Sequence, residues 1–152
     1  MSIEERLAEL GLTLPPAPAP VAAYVPTVHS GTLVFTAGQL PADASGLLAT
    51  GKVGEDVDLD VAIVCARQCA LNVLAQLRAA LGTLDRVARV VKVTVFVASA
   101  PSFVQHHRVA NGASELFADV FGDAGYHTRS AVGVLALPLD SPVEVEAVVE
   151  VV

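Results

Sequence analysis

Charged side chains are scarce in this chain of 152 residues. Asp, Glu, Lys and Arg make up 16% of it, where about 25% is usual for a soluble domain. Apolar residues make up 53%. So little charge leaves less water-facing surface than a monomer needs, which points to an oligomer hiding a large apolar interface. Basic residues are the scarcer sign: 9 Lys and Arg against 16 Asp and Glu, a net charge of −7. A negative field repels polyanions, and the cations are scattered, so nucleic acid is a disfavoured partner. Arg86, Arg89 and Lys92 come closest to a cluster and read as solvated surface at the start of a strand.

Cysteine occurs only at Cys65 and Cys69, four residues apart in a helical pattern. Helix i,i+4 geometry does not favour a disulfide, and no His or Cys stands near enough in sequence to complete a zinc site. Two small buried side chains are the expectation. Also missing are a glycine-rich phosphate loop, a His-x-x-x-His pair and a nucleophile elbow. The adjacent His106 and His107 point about 100° apart on a helix and cannot share one ligand. They read as solvent-facing or as an interface edge. No metal or cofactor is expected.

A membrane span is missing too. Residues 10 to 42 carry no charge, but Pro15, Pro16, Pro18, Pro20, Pro26 and Pro41 interrupt them. Glu4, Glu5 and Arg6 are not followed by an apolar leader, so a cytoplasmic protein is expected.

The length suits one domain with its own core. Residues 1–20 read as an N-terminal arm: a helix from Ser2 to Leu10 with a Ser2–Glu5 capping box, a stop at Gly11, then a stiff run from Pro15 to Pro20. Residues 21–152 read as the domain. Val25–His29 and Leu33–Ala37 form a hairpin, and residues 42 to 56 an irregular loop with room for a short strand. Val57–Leu81 carries one apolar stripe and ends at Gly82, a long helix. Val87–Val97 is a β-branched run suited to a central strand. Ser102 is the expected cap of a second helix that Gly122 ends. Thr128–Leu135 and Val143–Val152 are strands, the latter alternating apolar residues with Glu144, Glu146 and Glu150. The order β-β-α-β-α-β-β predicts an α+β fold, two helices on one face of a mixed sheet. The other face then needs a second copy to cover it.

One residue stands out chemically. Arg129 sits early in the apolar strand His127-Thr128-Arg129-Ser130-Ala131-Val132-Gly133-Val134-Leu135. Such an arginine is costly unless paired. It either binds a structural carboxylate, with Glu144 and Glu146 as the candidates, or waits for an anionic ligand.

The run Arg129-Ser130-Ala131-Val132-Gly133-Val134-Leu135-Ala136-Leu137-Pro138 followed by Val143-Glu144-Val145-Glu146-Ala147 resembles the C-terminal signature of the Rid/YjgF (reactive intermediate deaminase) family. Tyr24-Val25, Thr36-Ala37-Gly38-Gln39-Leu40-Pro41 and Val91-Lys92-Val93-Thr94-Val95-Phe96-Val97 match it in order, over about residues 20 to 152. The resemblance implies a chorismate-mutase-like fold, a homotrimer with clefts between subunits, and hydrolysis of 2-imino acids to 2-oxo acids and ammonia. It implies Arg129 as the grip on the substrate carboxylate and Glu144 as the residue that orients or activates water. It places Tyr24, Gly38, Asn111, Ser130 and Ala131 at the cleft. Ala131 stands where the family often has Cys, and Gly133 where many members carry a side chain. Hydrolysis needs neither metal nor covalent nucleophile, because an imine conjugated to a carboxylate is already electrophilic. Two other readings compete: a trimer that binds a small carboxylate without turnover, and an endoribonuclease or translation inhibitor, which the charge disfavours.

Overall fold

The structure is a computed structural model and describes residues 1–20 and 22–152. Ser2 opens helix α1 (Ile3–Glu9): its hydroxyl accepts the Glu5 amide while the Glu5 carboxylate accepts the Ser2 amide. That is the capping box the sequence predicts. The Asp85 carboxylate accepts the Ile3 amide, Arg6 Nε donates to the Asp119 carbonyl, and Leu7 is buried. Farther along, Leu14 is buried and Gln76 Nε2 donates to the Pro18 carbonyl over 2.6 Å. The expected start of the domain, residue 21, lies outside the described residues.

Strands β1 (Thr27–Ser30) and β2 (Leu33–Thr36) form the expected hairpin around Gly31. The loop after them holds a small separate hairpin, β3 (Ala42–Asp43) with β4 (Gly46–Leu47). Asp58 caps the long helix α2 (Leu59–Leu81) by accepting the Val61 amide, and Gly82, with φ of 81°, ends it. Strand β5 (Val87–Ala98), helix α3 (His106–Phe121), strand β6 (Thr128–Val134) and strand β7 (Val143–Val151) complete the order.

Ser102 does not cap α3. The amide of Phe103 donates to the Ala100 carbonyl, so Ser102 lies in a turn, and α3 starts at His106 with no side-chain cap. Gln105 takes the capping position.

The main sheet runs β1-β2-β7-β5-β6; β5 and β6 are parallel and the other pairs antiparallel. Val34, Val93, Val95, Val97, Val143, Val145, Ala147 and Val149 are buried on one face under α2 and α3. The two helices approach so closely that a Cβ on Gly112 would collide with the Ile63 carbonyl. Cys65 and Cys69 are buried and free, as expected. α2 is long and apolar enough to cross a membrane, but its apolar stripe is buried in this core. Among the described residues no helix covers the other sheet face: Val28, Phe35 and Val132 remain 52%, 43% and 41% exposed there.

Candidate active site

Arg129 projects from the edge strand β6. Its register partner on β5 is Val93, which faces the helices, so the side chains of residues 129, 131 and 133 share the helix side. The guanidinium reaches α3. Nη1 donates to Asn111 Oδ1 over 2.8 Å and to Ser114 Oγ over 3.1 Å, and Nη2 donates to the His107 carbonyl over 3.3 Å. All three acceptors are neutral. Among the described residues no carboxylate pairs with Arg129. Its Nε–H and one N–H on the neighbouring Nη2 keep no protein partner there. A guanidinium held this way retains its charge and can bind a carboxylate or phosphate through adjacent nitrogens.

The expected partners Glu144 and Glu146 are elsewhere, which corrects the structural pairing. They lie on β7, separated from β6 by β5. Glu144 pairs with Phe96 and Glu146 with Thr94, positions that face away from the helices. Arg129 and Glu144 of one chain therefore occupy opposite sides of the sheet.

Ser114 is held in turn. His127 Nδ1 lies 2.6 Å from the Gly125 carbonyl, and Nε2 lies 2.9 Å from Ser114 Oγ. A carbonyl only accepts, so Nδ1 carries the proton and neutral Nε2 accepts the Ser114 O–H. The lone pairs of Ser114 are then turned to Arg129. Burial pushes the His127 pKa below its usual 6.5, and the Arg129 charge pushes the same way against the Gly125 carbonyl. Phe117 packs edge-on against the ring at 5.9 Å. Arg129 and His127 line a cavity of about 430 Å³ with Ser114 and Tyr126.

On the far face, Glu144 is half-buried and forms no hydrogen bond or ion pair among the described residues. Burial, and secondarily Glu146, raises its pKa above the usual 4.5. Gly38 leaves it room: a Cβ there would lie 2.6 Å from Glu144 Oε1. Tyr24 and Gly38 line a cavity of about 260 Å³ with Pro18, Pro20, Leu47 and Leu139. Ser130 is also on this face, where it accepts from Lys92 Nζ over 3.4 Å. The residues singled out from sequence thus fall in two groups: Arg129, Asn111 and Ala131 on the helix side, and Glu144, Gly38, Tyr24 and Ser130 away from them. Ser114 and the ring nitrogens of His127 were not foreseen. Nothing in the α3 pattern distinguishes Ser114, whose role exists only once β6 docks.

Comparison with known proteins gives the family. Residues 4–151 match the family model described as "YjgF/chorismate mutase-like, putative endoribonuclease". Protein TCP17 of Trypanosoma cruzi is 48% identical over 149 residues, covering 97% of this chain and 93% of that protein. The 2-iminobutanoate/2-iminopropanoate deaminase of Salmonella typhimurium is 38% identical over 132 residues, covering 87% of this chain and 90% of the relative. A crystal structure of a protein of unknown function from Agrobacterium tumefaciens superposes with a TM-score of 0.92 at 50% identity, covering 99% of this chain and 92% of that one. A match along nearly its whole length, with the fold to go with it, makes this chain a member of the YjgF family.

Proposed function

We propose that the chain hydrolyses 2-imino acids to 2-oxo acids and ammonia, in clefts between the subunits of a homotrimer. The observation that carries this reading is the Arg129 guanidinium, fixed by three neutral acceptors and left with unused N–H groups. It would take the substrate carboxylate, oriented by Asn111 and Ser114. Glu144 would come from a neighbouring copy, because its own chain puts it behind the sheet. Half-buried and with a raised pKa, it suits a group that orients the attacking water. Tyr24, Gly38, Ser130 and Ala131 would line the cleft. The exposed Val28, Phe35 and Val132 give the uncovered sheet face the apolar surface a second copy would bury. The deaminase among the relatives supports the same chemistry.

The test is ammonia release from 2-iminobutanoate generated in place by an amino-acid oxidase. Wild type should accelerate release, and Arg129→Ala, still folded and assembled, should lose the acceleration. A charge-assisted hydrogen bond contributes about 1.5–3 kcal/mol, so carboxylate binding should weaken about 10- to 150-fold. If wild type leaves the rate unchanged, the deaminase reading fails. Binding of 2-oxobutanoate that needs Arg129, without turnover, would then favour the carboxylate-binding reading.

A further inference from the structure

Gly133 has no conformational reason to be glycine. It lies inside β6 and its φ is not in the left-handed region. Glycine in a strand weakens the strand, so it marks a close approach. A Cβ at Gly133 would lie 2.7 Å from His106 Nε2 and 3.0 Å from Ser99 Oγ. Those two atoms are themselves a hydrogen-bonded pair, 3.0 Å apart. The strand forgoes a side chain, and the space goes to a serine and a histidine from other elements.

Three segments hold the pair in place. Ser99 follows β5 and bridges Val53, with the Ala100 amide donating to the Val53 carbonyl and the Val53 amide donating to Ala98. The His106 ring packs edge-on against Phe103 at 5.2 Å. Phe103 backs onto Gly54, where a Cβ would lie 3.1 Å from it. A merely solvated histidine would not need a glycine opposite it and an aromatic ring behind it.

The pair also belongs to the Arg129 side of the sheet. Arg129, Ala131 and Gly133 share one face of β6, and Ala131 and Gly133 form a floor with almost no side chain. Arg129 Nη2 binds the carbonyl of His107, the residue after His106. Arg129 and the glycine beside the imidazole are four residues apart on one face of β6, about 13 Å at about 3.3 Å per residue, and the guanidinium leans to the end of α3 that carries His106. His127, which also lies beside Arg129, has both ring nitrogens engaged. We propose that His106, oriented by Ser99, is the acid–base group of the Arg129 site.

This rests on the deaminase reading and assigns it a proton route. With the carboxylate on Arg129, a water oxygen bonds to the imine carbon and the C=N π pair moves onto nitrogen. Neutral His106 takes a proton from that water and returns it to the nitrogen. The C–N bond then breaks, its electron pair leaves with ammonia, and the remaining hydroxyl becomes the 2-oxo group as its proton passes to ammonia. One water enters, and a 2-oxo acid and ammonia leave, the ammonia taking its further proton from solvent. Burial and the neighbouring His107 hold the His106 pKa below its usual 6.5, which keeps the ring a base at neutral pH.

The test compares wild type with His106→Ala, His106→Gln, Ser99→Ala and Gly133→Ala. Readouts are imine hydrolysis across pH and 2-oxobutanoate binding by thermal shift. General acid–base groups contribute about 100- to 10,000-fold. Both His106 variants should lose at least about 100-fold in kcat and the acidic limb of the pH profile, while 2-oxobutanoate binding persists through Arg129. Ser99→Ala should move that limb with a smaller loss, and Gly133→Ala should behave like a His106 variant. Wild-type kcat and an unchanged acidic limb in the His106 variants would overturn the proposal and leave the deaminase standing. If wild type itself hydrolyses no imine, the deaminase reading fails first. The pair is then judged by the His106 ring signals in NMR. A shift on adding 2-oxobutanoate that Arg129→Ala abolishes keeps His106 in the site, and no shift removes it.

Discussion

The two faces of the sheet are built from the same five strands and do different work. The helix side is a closed core in which valines from β2, β5 and β7 pack against α2 and α3 with no exposure to speak of. The other side exposes Val28, Phe35 and Val132 and carries half-buried Glu144 and Glu146. One face forms the chain's own core, and the other leaves apolar and acidic side chains open to solvent or to a partner. Glu144, half-buried with a raised pKa and without a hydrogen-bond partner among the described residues, lies on this second face. The Arg129 corner is the exception on the helix side, a charge at the edge of the core satisfied by neutral groups rather than by a carboxylate.

The contrast can be broken most forcefully in the core. Leu74→Ala, at a wholly buried position of α2, should cost about 2–5 kcal/mol of stability, read by denaturant unfolding. Phe35→Ala on the open face should leave secondary structure intact and lower the assembly state seen by sedimentation. If Leu74→Ala and Phe35→Ala destabilised the isolated chain equally, the two faces would not differ as described. Ser114→Ala tests the Arg129 corner more finely. Losing one ordinary hydrogen bond costs about 0.5–1.5 kcal/mol, so 2-oxobutanoate binding should weaken about 2- to 10-fold, less than for Arg129→Ala.

The smallest effects are pH-dependent. Glu144 has a raised folded pKa, so the folded state holds its proton more tightly than the unfolded chain does. Its contribution is fully present below the usual 4.5 and is lost as pH rises through the folded value. Glu144→Gln should therefore raise the melting temperature at pH 7, and the difference should vanish near pH 4. His127 has the opposite sign. Its folded pKa is lowered, so its contribution is complete above the usual 6.5 and is lost as pH falls from there toward the folded value. His127→Gln should flatten that acid slope in stability. An unchanged slope would mean that the ring is not held neutral.

Sequence patterns went further for elements than for contacts. The Ser2–Glu5 box, and Gly82 and Gly122 as stops, are local, and each is where its residues imply. Ser102 failed as a cap because the tight turn at Ala100–Phe103 took the chain past it before α3 began. The pairing of Arg129 with Glu144 or Glu146 failed for a different reason. Strands consecutive in sequence are usually neighbours, but here β7 inserts between β2 and β5 and leaves β6 at the edge. His106 reads from sequence as solvent-facing or as an interface edge because its partner Ser99 and the space at Gly133 arrive from other elements.

What the sequence by itself determined is whatever depends on near neighbours: the helices, the strands, the apolar stripes, and a family signature whose Arg129 could be named without coordinates. Strand order and face are set by long-range packing, through the burial of one side of every strand at once. Only the tertiary structure could therefore decide that Arg129 answers to Asn111, Ser114 and His107, that Glu144 lies behind the sheet, and that Gly133 makes room for Ser99 and His106.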